Sequence, residues 1–169
     1  MIKNKLKDSI KTERTDNSNL NEFTRQLQEQ IFNQLKKQYS DIVLDYWQHP
    51  RNYKSLKNPD GYAKEKGSCG DSMEMFIRMK KDIIVECSFL TDGCGTTIAC
   101  GSTATEMAKG KSFTEALALI SAQEIIKHLQ GLPEADTHCA YLAAETLRRA
   151  LADYLHQKKA PWKKHYRRP

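Results

Sequence analysis

Two short runs of strict alternation, set back to back, limit the folds open to this chain more than any other feature. Over residues 72–79 the side chains of Met73, Met75, Ile77 and Met79 fall on one side, and over residues 83–90 Ile83, Val85, Cys87 and Phe89 do the same. A period of two marks a half-buried strand, and the Lys80-Lys81-Asp82 segment between the runs predicts a β-hairpin. Beyond the hairpin the chain reads as helix. After Gly93-Cys94-Gly95 comes a small-residue helix over about 97–109, closed by Gly110, then shorter helices over about 114–120 and 122–130, the latter stopped by Gly131, Leu132 and Pro133. Leu142, Leu147, Leu151, Tyr154 and Leu155 share one face of a last helix that begins near Cys139 and ends before Pro161. Ahead of the hairpin, Leu20, Phe23, Leu27, Ile31, Leu35, Ile42 and Tyr46 recur at helical intervals, with a break expected near Tyr39 and Ser40 and a stop at Pro50. Residues 51–67 carry Asn58, Pro59, Asp60 and Gly61 and read as an extended or looped connection. Strands first and helices afterwards describe an α+β domain with a small antiparallel sheet and an added N-terminal helix.

Length and charge set the organisation. A chain of 169 residues holds one domain with extensions, here 1–38 (polar and aperiodic to about 18, then helical), 39–156 as the domain and 157–169 as a basic tail. The net charge of +6 suggests nucleic acid, but its location does not. Six of the 27 basic residues, Lys158, Lys159, Lys163, Lys164, Arg167 and Arg168, lie at the end of the chain, which leaves 21 against the 21 acidic ones. A neutral body without a nucleic-acid fold motif argues against a nucleic-acid partner, although Trp162 and Tyr166 interleave with the tail cations. A protein-docking or flexible role is the preferred reading of the tail. No apolar run has the length of a membrane span or signal-peptide core, and the start mixes Lys3, Lys5 and Lys7 with Asp8, Glu13 and Asp16. A cytoplasmic protein with no membrane partner is expected.

The five cysteines, Cys69, Cys87, Cys94, Cys100 and Cys139, are an odd number in such a context, so metal binding or thiol chemistry outranks disulfides. Cys69 precedes the first predicted strand, Cys94 lies between Gly93 and Gly95 after the second, and His138-Cys139 opens the last helix. Side chains at element ends can meet at one sheet edge, and the glycines leave space beside the sulfurs. For Cys94 and Cys139, a helix start is expected to stabilise the thiolate. Three thiolates with one nitrogen or oxygen donor suit either tetrahedral zinc or a [2Fe–2S] cluster. Cys87 shares a strand face with apolar residues and Cys100 has Ala104, Met107 and Ala108 as helical neighbours, so burial is the expectation for both, with a sulfur-relay role for Cys100 as the competing one. Met73, Met75 and Met79 read as core, and His49 as part of a helix end.

Several motifs then fall in one order. Tyr39-Ser40-Asp41-Ile42-Val43-Leu44-Asp45-Tyr46, His49-Pro50-Arg51-Asn52, Cys69-Gly70-Asp71, Gly93-Cys94-Gly95, Lys109-Gly110-Lys111-Ser112, His138-Cys139 and Ala150-Leu151-Ala152-Asp153-Tyr154 resemble the IscU/NifU N-terminal scaffold family over residues 39–156. The resemblance implies a three-stranded antiparallel sheet packed by helices, the third strand coming from before Cys69. It implies a carrier that turns over no small substrate of its own: sulfur arrives from a cysteine desulfurase, iron binds, and a labile, transient [2Fe–2S] cluster is passed to apo iron–sulfur acceptor proteins. An iron or electron donor would be a further partner, and zinc an occupant of the isolated apo form. Carried over by position, the ligands are Cys69, Cys94 and Cys139, with His138 or Asp71 as the fourth or exchangeable donor and Cys139 as first sulfur acceptor. The competing reading is a zinc-bound sulfur acceptor like the SufU branch, a sulfurtransferase partner of a desulfurase. That branch inserts a long segment between its second and third cysteines, whereas 45 positions separate Cys94 from Cys139. One stretch departs from the family. IscU-type proteins carry Leu-Pro-Pro-Val-Lys where this chain has Leu132-Pro133-Glu134-Ala135-Asp136, and the reversed charge counts against a dedicated chaperone partner.

Overall fold

The computed structural model describes residues 20–159 in two units, one ending at Gln38 and one beginning at Tyr39. The expectations for residues 1–18 and for the tail beyond Lys159 lie outside the described residues. In the first unit, α1 spans residues 20–35. Leu20, Phe23, Leu27 and Ile31 are exposed along one stripe, while Arg25 bridges Glu22 (2.7 Å) and Glu29 (2.9 Å) on the other side.

The expected break is present. In the second unit Ser40 caps α2 (Asp41–Gln48), its hydroxyl accepting from the Val43 amide at 3.2 Å, and the helix stops at His49 ahead of Pro50. Three strands follow, β1 (Gly61–Lys66), β2 (Ser72–Lys80) and β3 (Ile83–Thr91), paired antiparallel in the order β1-β2-β3. Lys81 and Asp82 both take left-handed backbone, φ 51° and 63°, the two-residue hairpin turn whose twist matches the strands. One strand departs from the sequence pattern. The register shifts between Arg78 and Met79, so that Met79 pairs with Ile84 while Ile77 pairs with Cys87. This bulge reverses the alternation beyond Cys87: Ile84 is buried, and Ile83 and Val85, expected inside, face outward.

The inner face of the sheet carries Ala63, Met73, Met75, Ile77, Ile84, Cys87 and Phe89, all buried, and the helices cover it. They are α3 (Gly95–Ala108), α4 (Phe113–Leu119), α5 (Ala122–His128) and, after a 3-10 turn at Glu134–Asp136, α6 (Thr137–Lys159). Small side chains let α3 approach closely: a Cβ added at Gly101 would fall 2.4 Å from Phe89 Cε2. Two of its buried hydroxyls bond within the helix, Thr103 to Ala99 O and Thr105 to Gly101 O, each at 2.9 Å. Ser112 and Glu115 form a capping box at α4. α6 lies across β1, where Gly61 leaves room for Ala150 O, and buries Leu142, Leu147 and Leu151 as its pattern predicts. Among the described residues no helix is long and apolar enough to cross a membrane.

Candidate metal centre

The end of the hairpin opposite its turn assembles the chemistry. Met73 pairs with Thr91, so Asp71, just before β2, lies beside Cys94, just after β3. The junction is pinned by the Ser72 amide donating to Asp92 Oδ1 (2.6 Å) and the Thr91 hydroxyl to Ser72 O (2.6 Å). Asp71 Oδ2 then accepts from the Thr97 hydroxyl at 3.0 Å and from the Cys94 amide at 3.4 Å. Gly93 makes this approach possible, since a Cβ there would lie 2.5 Å from Asp71 Oδ2.

Thr97 is the hub. Its hydroxyl lies 3.3 Å from Cys139 Sγ and 3.5 Å from Cys94 Sγ as well as on Asp71. A hydroxyl has one proton to give and two lone pairs to receive, so one side chain joins all three groups, its proton on Asp71 when the thiols are protonated and free to turn to a cysteine that ionises. His138 reaches the same place, its Nε2 3.5 Å from Cys139 Sγ. The other ring nitrogen, Nδ1, is 2.7 Å from Ala135 O, and because a carbonyl only accepts, Nδ1 carries the proton and Nε2 keeps a lone pair in the neutral ring. Cys69 is exposed on the turn of residues 67–71, held by the Gly67 amide to Asp71 O (2.8 Å) and the Gly70 amide to Gly67 O (3.1 Å), with Gly70 at φ 96°. Thus Asp71, Cys94 and Cys139 meet at Thr97, His138 adjoins Cys139, and Cys69 stands on the adjoining turn. As they stand, no three His, Cys, Asp or Glu groups among the described residues close on a metal position.

The two helix-start thiols differ. Cys94 is the N-cap of α3. Burial pushes its thiol up, but hydrogen bonds from the Thr97 hydroxyl, the Thr97 and Thr96 amides and Cys139 outweigh it, and the net effect holds Cys94 below the ordinary thiol value. At Cys139 the expectation of thiolate stabilisation is reversed. Burial, only partly offset by Thr97 and reinforced by Cys94, pushes it up to about 12. The placements differ: Cys94 caps α3 and is exposed, whereas Cys139 lies inside the first turn of α6, after a 3-10 turn whose Asp136 and Thr137 amides donate to Pro133 O and Glu134 O, and is buried.

The remaining candidates sort by burial. Cys87 is in the core, its thiol pushed up to about 12 by desolvation, and Cys100 is fully buried in α3 and raised by the same cause. Met73 and Met75 are core, and His49 contacts Asp45 at 3.1 Å at the end of α2. Lys158, read with the tail, instead bonds Asp82 at 2.6 Å across the hairpin turn. Sequence reasoning passed over three residues near the site. These are Thr97, Tyr39, whose hydroxyl donates to Asp136 Oδ2 at 2.7 Å and steadies the 3-10 turn, and Trp47, whose ring lies against Gly95. The Tyr39 position was visible only as part of a motif, and a threonine inside a helix carries no signal of its own.

Residues 38–161 match the model of the NifU-like N terminal domain. The chain is 44% identical over 117 residues to iron–sulfur cluster assembly scaffold protein IscU 1 of Archaeoglobus fulgidus, covering 69% of this chain and 76% of that protein. It is 38% identical over 127 residues to the IscU scaffold protein of Escherichia coli K12, covering 72% and 98% respectively. A SUF-system iron–sulfur cluster assembly scaffold from Fervidobacterium islandicum AW-1 shares the fold, with TM-score 0.56 and 24% identity over 67% of this chain and 96% of that one.

Proposed function

The chain belongs to the NifU-like N-terminal domain family, and on that premise we propose that it is a scaffold which accepts sulfur from a cysteine desulfurase, binds iron, assembles a labile iron–sulfur cluster and passes it to apo-proteins. The observation that carries the reading is the meeting of Asp71, Cys94 and Cys139 around one hydroxyl, with His138 against Cys139 and Cys69 on the turn two residues from Asp71. The ligands are Cys69, Cys94 and Cys139, with Asp71 or His138 completing the set. Soft thiolates favour iron–sulfur chemistry, while the imidazole and carboxylate offer harder, exchangeable donors.

Each residue has a part in the assembly. A thiolate attacks the outer sulfur of the desulfurase's persulfide, the S–S bond breaks, the desulfurase thiolate leaves, and the scaffold cysteine holds the persulfide. Cys94, exposed and acidified, is where this sulfur is met in the conformation described; Cys139 takes part once it is uncovered. Each sulfane sulfur needs two electrons to become sulfide, which the electron donor supplies. Asp71 faces the same space as the sulfurs, and its negative charge and weak iron affinity favour release. The basic tail serves the desulfurase encounter.

The test is anaerobic reconstitution of the full chain with iron, cysteine and a desulfurase, read by absorbance, iron and acid-labile sulfide. Single Cys→Ser changes at positions 69, 94 and 139 should abolish or sharply reduce cluster content, and Cys87→Ser should not. Equal loss on Cys87→Ser, or tight zinc with no sulfide in the wild type, would overturn the assignment, the latter in favour of a zinc-bound sulfur acceptor.

A further inference from the structure

Gly95, beside Cys94, lacks a side chain for a reason that its backbone does not supply. It is the first residue of α3 and has no left-handed φ, so an alanine would satisfy the helix equally well. The space decides it. A Cβ on Gly95 would fall 2.3 Å from both Cδ2 and Cε2 of Trp47, and 2.7 Å from its Cγ. The indole therefore lies flat on the backbone next to Cys94. Of the other glycines beside the proposed ligands, Gly67 faces Leu142, Gly93 makes room for Asp71 and Gly70 turns the chain, whereas Gly95 admits a ring.

The ring comes from α2, whose capping by Ser40 and closure at His49 fix the helix. Ser40 also donates to Leu129 O at 2.5 Å, and Tyr39 donates to Asp136, so α2 is anchored to the α5–α6 connection at the end away from Trp47. Trp47 is itself 39% exposed, and Cys94 is exposed too. Thr97 and Asp71, which hydrogen-bond Cys94, are polar. On the Gly95 side of Cys94 the indole supplies a large apolar surface.

We propose that Trp47 is a positioning and shielding residue: its indole, seated on Gly95, walls the flank of Cys94 and limits access of water and dissolved oxidants to whatever Cys94 holds. The proposal rests on the scaffold reading for its cargo, but the wall exists in the metal-free protein as well. A flat, apolar face excludes small polar solutes without offering a ligand, which suits a site that must hold its cargo and then release it.

Two measurements on the full chain separate the inference from the reading beneath it. In the metal-free protein, alkylation of Cys94 by iodoacetate is followed by peptide mass spectrometry for the wild type, Trp47→Ala, Trp47→Phe and Gly95→Ala. Cys94 should react at least threefold faster in Trp47→Ala and in Gly95→Ala, which evicts the ring without altering it, and within about 1.5-fold of wild type in Trp47→Phe. With reconstituted protein, the visible absorbance should decay in air faster in the same two variants and be rescued by phenylalanine. A mere loss of folding would not spare Trp47→Phe while moving two unlike substitutions together, and circular dichroism of each variant identifies unfolding. If the wild type loads no cluster, the scaffold reading fails while the alkylation series still decides the wall. Wild-type rates in folded Trp47→Ala and Gly95→Ala, in both measurements, would overturn the inference.

Discussion

At the scale of single residues, the site is governed by which thiol is open to solvent and meets helix amides. Cys94 is exposed and accepts from the Thr96 and Thr97 amides, whereas Cys139 is buried, so iodoacetamide at pH 7.5 should modify Cys94 at least tenfold faster than Cys139 in the metal-free protein. The pH profile has a definite sign. Alkylation needs the thiolate, so for Cys94 its midpoint should lie below the ordinary thiol value, while Cys139 stays protonated until the pH approaches about 12. Equal rates would contradict the geometry. Thr97→Val keeps the shape and removes the shared hydroxyl. Cys94 should then react several-fold more slowly, and stability should fall by about 1 kcal/mol as Asp71 loses a partner. Asp71→Ala acts on release, because it removes the competing carboxylate: a reconstituted cluster should pass to apo-ferredoxin several-fold more slowly, and unchanged or faster transfer would show that another group labilises it. The sequence exposed the cysteines, Asp71 and His138 because motifs with glycines and helix starts mark them. It could not expose Thr97, since the register that sets Met73 opposite Thr91 is what brings Asp71 to this hydroxyl, and register is a property of two strands together.

At the scale of elements, periodicity predicted the hairpin, the long last helix and the break before Asp41, because each is a local pattern that burial on one face enforces. It failed at Ile83 and Val85, where a bulge inserts one residue and flips the face, a change that no count of alternation reveals. It also left β1 inside a looped connection: Gly61–Lys66 has a single buried alanine, Ala63, and owes its strand to pairing with β2 and cover by α6. The contact between α3 and the sheet is a close one. Gly101→Ala raises helix propensity by about 1 kcal/mol, yet the new methyl would lie 2.4 Å from the Phe89 ring. Overpacking of a buried ring costs about 1–3 kcal/mol, so the net effect should be destabilising. A urea midpoint that falls with an unchanged slope would show this, and Phe89→Leu in the same chain should recover part of the loss. A rise in the midpoint would mean that the helix lifts freely from the sheet.

At the scale of the whole molecule, charge and chemistry are segregated. Every proposed ligand lies between Cys69 and Cys139, and the core that supports them runs from Val43 to Leu151. The excess positive charge sits past that core, in the last twelve residues, against a balanced remainder. Lys158 belongs to the fold, because it holds Asp82 at 2.6 Å and its bond lowers the Asp82 carboxyl. A truncation that tests the tail must therefore stop after Lys159. Deleting residues 160–169 removes Lys163, Lys164, Arg167 and Arg168 and lowers the net charge from +6 to +2 while leaving that contact in place. Charges of this kind act on encounter more than on the final contacts, over a screening length of about 8 Å at physiological salt. The truncated chain should load as much iron and sulfide as the full one. Its association rate with the desulfurase should fall several-fold at low salt, and the steep decline of that rate with added salt should flatten, because the charges that salt screens are gone. Lost cluster content would place the tail in ligation, and an unchanged rate with an unchanged salt slope would mean that the desulfurase meets the neutral body of the scaffold and that these cations serve another contact.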